Sequence, residues 1–494
     1  MAKNLGMAVS CLLLAGVLLA SIQFASPNIP GFDGFYHIKM ARLTLEQGMP
    51  LEFPYLPLTI LDSERFSDIH MLLHVFQAPF TWHGDLRRAA KVSSLVFATI
   101  AFTLIAMILF RHGIRFPQLW VLLLFAVSSD FLYRMAMPRA PVFGVMFIVL
   151  AFHFIIRRQP LGLAVVSTLF VWTYRSFLIL IPLVGIGIVT HYVTRKSLEY
   201  KLVIALVAGI AIGMVVNPYF PIDLQFFFGD VARKFLSEGF ATEVGGEWYT
   251  YGTWELVRVC FGALLLFAVG VWLTNRDEWK QDPARLYWFL SAALWLALLL
   301  RSRRFVEYFA PSALMFFAFA TRSWLEESAL SQVRKRRSLQ LLAAALVVMI
   351  AWAIFHNVSV TRHDMRSEPP AYAYRGAATW LARNTEKDSR VFHTDWDDFP
   401  MLFFDNTHNT YIVGLDPDNL RVANPEMFER WQAISVGDVM RPEDEILQTF
   451  GAEYAFTDRY HRGFIRVAER SPRMIQVYAD AHTLIYRILR QPGE

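Results

Sequence analysis

Long apolar runs separated by short polar turns fill the chain to about residue 357, and each run approaching the roughly 20 residues a bilayer core requires predicts a spanning helix. About eleven are predicted, over 7–25, 89–110, 116–133, 140–156, 161–174, 176–193, 202–217, 254–274, 286–300, 306–321 and 339–357. From 358 onward the period changes. Short β-like runs at 389–394, 410–415 and 452–457, with a terminal pair in MIQVYAD and TLIYRIL, alternate with helical patterns at 371–384, 425–436 and 442–450, the last closed by Gly451. Two domains are expected: 1–357 in the membrane, and a soluble α/β domain over 358–494 large enough for a core of its own.

Composition agrees with that class. At 494 residues, 55% hydrophobic and 18% charged, the chain is too apolar for an ordinary soluble enzyme and too long for a single core. The first apolar run follows Lys3 as a signal peptide would, but its length and the many spans after it mark a retained helix. Cys11 and Cys260 both fall in apolar runs, which argues against a disulfide framework or a cysteine metal site. The formal charge of +5 is dispersed among hydrophobic spans, so nucleic acid is not an expected partner.

Charge also orients the chain. With Met1 in the cytoplasm, the turns carrying Arg111 and Arg115, Arg157 and Arg158, Arg195, Lys196 and Lys201, Arg276, Lys280 and Arg285, and Arg334 to Arg337 are all cytoplasmic, as the positive-inside rule asks. The fold class is then a polytopic α-helical membrane protein with an extracytoplasmic C-terminal α/β domain, in a membrane such as the bacterial inner membrane. A second set of basic residues lies at the outer ends of spans: Arg134, Arg139, Arg175, Arg301, Arg303 and Arg304. Guanidinium forks match phosphate oxygens, so these suit an anionic lipid head group; snorkelling, or pairing with Glu255 and Glu307, is the alternative.

Other polar residues gather in the outer loops. GFDGFYHIKMAR at 31–42 predicts a short helix lying along the bilayer on a stripe of Phe35, Ile38, Ala41 and Leu45, with Asp33 at its start either as an N-cap or as a reactive carboxylate. RFSDIHMLLHVFQAPF at 65–80 sets Asp68, His70 and His74 close together, as a helix cap with local histidine bonds or as weak metal ligands. The loop at 217–253 is aromatic, with Gly245 and Gly246 between Glu243 and Glu247, and reads as a lid or as an amphipathic connector. No GxSxG, GxxxxGK[ST], Rossmann glycine pattern or paired-cysteine site is present, so hydrolase, ATPase and redox classes lose support.

One carboxylate among outer-face arginines resembles the GT-C glycosyltransferases, which take sugars from polyprenyl-linked donors, above all the oligosaccharyltransferase catalytic subunit and also the aminoarabinose and protein mannosyltransferases. The resemblance makes Asp33 in GFDGFYHIK the catalytic aspartate of the first outer loop. It places the mobile-loop glutamate at Glu243 in ATEVGGEW, with Glu247 as competitor, and the phosphate-binding arginine at Arg304 in RSRRFVEYF, with Arg301 and Arg303 as alternatives. TDWDDFP at 394–400 stands where the family carries WWDYG, without its Tyr-Gly pair. Where oligosaccharyltransferases carry metal-binding acids in the second outer loop, YRMAMPRAP has Arg139, with only Asp130 nearby.

The expected function is an inverting membrane glycosyltransferase moving a sugar from a polyprenyl phosphate or diphosphate to a glycan, lipid or protein acceptor outside the cytoplasm. Asp33 and Glu243 are the expected catalytic residues, and Arg134, Arg139, Arg301 and Arg304 the donor-phosphate ligands. His37, Asp68, His74, Glu247, Trp396, Asp397 and Asp398 are candidate sugar contacts, the last two alternatively capping a strand-to-helix turn. No cofactor is certain; Asp33 and Asp130 are candidate ligands for Mg²⁺ or Mn²⁺. The competing expectations are a true oligosaccharyltransferase and, from another class, a lipid-glycan transporter or sensor.

Overall fold

The computed structural model describes residues 2–61, 66–228, 245–275, 277–326, 331 and 336–490. Its helical part runs through α1 (Ala2–Gln23), α2 (Asp33–Gln47), α3 (Met71–Gln77), α4 (Leu86–Arg111), α5 (Pro117–Ala126), α6 (Ser129–Ala136), α7 (Pro141–Ile156), α8 (Pro160–Thr173), α9 (Leu180–Arg195), α10 (Tyr200–Val215), α11 (Thr253–Leu273), α12 (Glu278–Gln281), α13 (Pro283–Leu299), α14 (Val306–Ala320) and α15 (Arg337–Ser367). Among the described residues, five stretches are long and apolar enough to cross a membrane: Asn4–Gln23, Leu86–Arg111, Arg175–Arg195, Thr253–Leu273 and Arg337–Ser367. The apolar helices α7, α8, α10 and α13 are shorter. Both cysteines are free and buried among the helices.

Two predicted boundaries change. The run expected as one span over 116–133 is broken into α5 and α6, which meet at 101°. Ser128 makes the break: it is extended, and its Oγ accepts the Phe131 N–H at 3.2 Å, starting a new helix. Backbone groups freed inside a bundle need internal partners. Asn357 Nδ2 donates to the Phe125 carbonyl, Thr361 Oγ1 to that of Ser129, and the Ala263 amide to that of Val127. α11 comes that close because Gly262 has no side chain; a Cβ there would lie 2.1 Å from the Ala126 carbonyl oxygen. The second change is α15, which continues to Ser367, so the expected domain edge at 357 lies inside a helix.

The remainder is α/β, with α16 (Arg375–Asn384), β1 (Arg390–His393), α17 (Asp398–Asp405), β2 (Thr410–Tyr411), α18 (Asp418–Ala423), α19 (Pro425–Val436), α20 (Pro442–Gln448), β3 (Tyr454–Asp458), α21 (Arg462–Ala468), β4 (Met474–Ala479) and β5 (Thr483–Ile488). The strand order is β2-β1-β3-β5-β4. β1 pairs in parallel with β2 and β3, while β5 lies antiparallel between β3 and β4. The predicted strands and helices all recur here. α17, α18 and α21 escape prediction because each is too short to show a helical period.

α2 joins the two parts. Phe35, Ile38 and Ala41 of its apolar stripe are buried by protein rather than by lipid, and Leu45 alone of the four stays exposed. Phe35 meets Phe404 of α17 edge-on at 5.3 Å, and Tyr36 lies 6.0 Å from Phe403. Arg87 of α4 adds an ion pair to Asp405 at 2.7 Å. The helix expected along the bilayer is thus sandwiched within the protein, and its first turn faces a cavity lined from both parts.

Candidate functional site

The cavity has a volume of about 580 Å³ and is lined from both parts of the chain, by Asp33, Arg134, Arg139, Glu247 and Arg304 below and by Trp396, Asp397 and the 415–421 segment above. Leu415, which lines it, adopts φ 64°, a conformation uncommon for a leucine.

Asp33 reaches this cavity from the first turn of α2. It is not the N-cap: Phe32 holds that position, without a side-chain cap bond. Its Oδ2 instead pairs with Arg139 Nη2 at 2.7 Å. Gly34 permits the approach, since a Cβ there would lie 2.6 Å from Pro138, on the loop carrying Arg139. Burial raises the Asp33 pKa and Glu247 adds to the rise, against the pull of Arg139, Arg304 and Arg134, so the carboxylate is more basic than usual.

Three guanidiniums converge on Glu247. Arg134 Nη1 lies 2.8 Å from its Oε2, Arg139 Nη1 3.6 Å from the same oxygen, and Arg304 Nη1 3.5 Å from Oε1. Burial opposes ionisation of Glu247, but these cations outweigh it and hold the carboxyl well below the usual carboxylate range. The loop is stitched in place: Ser302 Oγ donates to the Glu247 carbonyl at 2.9 Å and the Arg303 amide to that of Tyr249 at 3.0 Å. Trp248 lies under the Arg304 guanidinium at 4.8 Å.

The sequence candidates separate here. Asp33, His37, Arg134, Arg139, Arg304, Glu247, Trp396, Asp397 and Asp130 all line the cavity. Arg301 does not; it is exposed outside it. Arg303, which also lines the cavity, pairs with Glu255 at 3.0 Å, and Arg134 holds Glu307 at 2.7 Å besides Glu247. Glu243 lies outside the described residues, and Glu247 is the loop glutamate at the arginines. Asp397 and Asp398 part company. Asp397 faces the cavity, and its pKa is pushed up to about 8 by burial and the nearby Asp395, Asp33 and Glu247. Asp398 braces the strand-to-helix turn, accepting the Tyr374 hydroxyl at 2.7 Å and the Asp395 amide at 3.1 Å. Asp68 and His74 are buried behind the wall, with Asp68 Oδ2 2.6 Å from His74 Nδ1; His70 is the N-cap of α3, its carbonyl accepts the His74 amide at 3.1 Å, and the two rings lie 6.4 Å apart, as the i, i+4 spacing suggests.

A resident divalent cation does not suit this donor set. Asp33 is taken by Arg139 and Glu247 by three guanidiniums, while Asp130 accepts the Tyr251 hydroxyl at 2.6 Å. Among the described residues no three His, Cys, Asp or Glu side chains could hold a metal ion.

Some participants gave no sequence signal. The Tyr174 hydroxyl accepts from Arg304 Nη2, and Tyr133 donates to Glu368, just past the end of α15. Glu368 also accepts the Gly31 amide at 3.2 Å, steadying the loop before Asp33. Only the position of Tyr174 beside Arg175 at an outer turn hinted at its place.

No protein-family model matches the sequence, and no curated protein matches it. Its fold does have solved counterparts. The archaeal oligosaccharyltransferase AglB from Archaeoglobus fulgidus, in complex with an inhibitory peptide and a dolichol-phosphate, matches with a TM-score of 0.65 at 12% identity, over 98% of this chain and 74% of that one. ArnT from Cupriavidus metallidurans, bound to undecaprenyl phosphate, matches with a TM-score of 0.60 at 12% identity, over 100% of this chain and 99% of its own. At that identity the likeness is one of fold: the chain shares the polytopic helical architecture of these two solved proteins.

Proposed function

We propose that this chain is an integral-membrane glycosyltransferase that takes a sugar from a polyprenyl-phosphate or polyprenyl-diphosphate donor and transfers it to an acceptor on the extracytoplasmic face. The observation that carries this reading is the convergence of Arg134, Arg139 and Arg304 on a single carboxylate beside Asp33. Such a cluster is an anion seat, which the Glu247 carboxylate fills. The fold counterparts were solved with dolichol-phosphate and with undecaprenyl phosphate, which supports the donor class.

In this reading the lipid phosphate displaces Glu247 and settles among the guanidiniums. The acceptor's nucleophilic atom attacks the anomeric carbon from the opposite side, and its proton passes to Asp33. The bond from that carbon to the phosphate oxygen breaks, the electron pair stays with the phosphate, and the arginines stabilise the developing charge without a metal ion. Glu247 would position donor or acceptor once displaced, as Glu243 on the same loop is expected to, and Trp396 and Asp397 would meet sugar. The proposed topology has about eleven spans, the N-terminus in the cytoplasm, a catalytic membrane part and an extracytoplasmic α/β part, in a bacterial inner membrane. A transfer assay with undecaprenyl-phosphate-linked sugars tests the reading. Asp33→Asn should lose at least about a hundredfold in kcat while still binding undecaprenyl phosphate. Near-normal transfer by that variant would overturn the role of Asp33.

The AglB likeness keeps one alternative in play: transfer of a preassembled glycan to protein. Glycosylation of a sequon peptide from a lipid-linked oligosaccharide would favour it.

A further inference from the structure

Behind the cavity wall runs a chain of three side chains that the proposed transfer does not use. Asp68 Oδ1 accepts the His70 backbone N–H at 3.0 Å, Asp68 Oδ2 lies 2.6 Å from His74 Nδ1, and His74 Nε2 lies 2.9 Å from His37 Nδ1. His74 is fully buried and Asp68 nearly so. His37 lines the cavity, and its Nε2 has no partner among the described residues yet is not sealed from the cavity.

The polarity of this chain follows from its far end. A carboxylate only accepts, so the proton between Asp68 and His74 sits on His74 Nδ1. When both rings are neutral, His74 Nε2 accepts from His37 Nδ1–H, and His37 Nε2 keeps its lone pair. Burial, His70, His74 and Arg139 all hold the His37 pKa well below the ordinary histidine value, which keeps that ring neutral.

We propose that Asp68 and His74 are positioning residues that lock His37 in the Nδ1–H tautomer, so that His37 Nε2 accepts a hydrogen bond from a hydroxyl of a bound sugar. The contact lies on α2 one helical turn beyond Asp33, and it deepens the glycosyltransferase reading on which it rests. A wall group that can only accept favours a sugar with a hydroxyl at that point over its deoxy analogue, because without the hydroxyl the lone pair goes unmet.

Asp68→Asn is the discriminating variant. The His70 N–H can only donate, so it holds the amide oxygen of Asn and turns the amide NH₂ toward His74 Nδ1. Each proton along the chain then shifts, and His37 Nε2 becomes N–H. Nitrogen-15 NMR of the full chain in nanodiscs, labelled at histidine and assigned by His37→Gln, reads this directly. The wild-type protein should show His37 protonated at Nδ1 and bare at Nε2, and Asp68→Asn the reverse. Undecaprenyl phosphate alone should leave the Nε2 resonance in place. Movement with undecaprenyl-phosphoryl-glucose would assign the contact to the donor sugar, and movement with methyl glucoside to the acceptor side. In transfer assays Asp68→Asn should lower kcat/KM on the order of 10–100-fold while binding undecaprenyl phosphate as the wild type does. A wild-type His37 carrying hydrogen at Nε2, or one that neither sugar perturbs, would overturn the proposal, and the wild-type spectrum decides this even if the variant misfolds. Failure of undecaprenyl phosphate to bind would sink the transferase reading instead, leaving the tautomer result standing.

Discussion

Arg139 holds Asp33 at 2.7 Å and leans on Glu247 at 3.6 Å, in a loop where the oligosaccharyltransferase pattern puts metal-binding acids. A guanidinium supplies there the positive charge that a metal would supply, so transfer should survive chelation. EDTA is expected to reduce the rate by less than about twofold; complete loss restored by Mn²⁺ would contradict this. Asp397 supports a second prediction. A carboxyl whose folded pKa lies above its unfolded one gives its full stability below the unfolded value, about 4, and loses it as pH rises through the folded value, here about 8. Asp397→Asn cannot ionise, so its melting temperature should gain on that of the wild type between pH 6 and pH 9. Parallel pH profiles would show that the carboxyl is not perturbed in this way. At this scale the sequence was partly legible. Asp33, Arg139 and Arg304 could be picked out because each is charged beside the end of an apolar run. The loop glutamate is expected at Glu243 with Glu247 as competitor, since both flank the same Gly-Gly pair, and Glu243 lies outside the described residues. Tyr174 and Glu368 could not be found because their partners, Arg304 and Tyr133, lie 130 and 235 residues away in the chain.

Among the elements, the break between α5 and α6 matters most, because it turns what would be one span through 101° and aims Asp130 and Arg134 into the cavity. Apolar periodicity hid it: a spanning pattern runs straight through Val127, and only the Ser-Ser-Asp at 128–130 marked a helix start. The break depends on α11 passing close by. Gly262→Ala would drive a methyl into the Ala126 carbonyl and should cost roughly 1–3 kcal/mol. Gly185→Ala on α9, where nothing lies within 4 Å of an added Cβ, should be neutral in the same thermal-shift measurement. Equal effects would mean that the approach of α11 does not shape the break. By contrast, the strands of the C-terminal part were legible because alternation and turn residues are local signals, and nothing distant had to be known.

Over the whole molecule, the site exists because α2 is held between a helical bundle and an α/β part, sharing one aromatic core with α17. The apolar stripe of α2 was correctly seen in the sequence but assigned to lipid, since a lipid tail and a phenylalanine from another part of the chain demand the same surface. That packing brings Asp33, Arg134, Arg139, Arg304, Trp396 and Asp397 around one cavity. The most direct measurement is a cryo-electron microscopy structure of the full chain in nanodiscs with undecaprenyl phosphate. The account predicts phosphate density within hydrogen-bond reach of Arg139 and Arg304 and the Glu247 carboxylate moved off them. A head group lying outside the cavity, with Glu247 still clasped by its arginines, would contradict it.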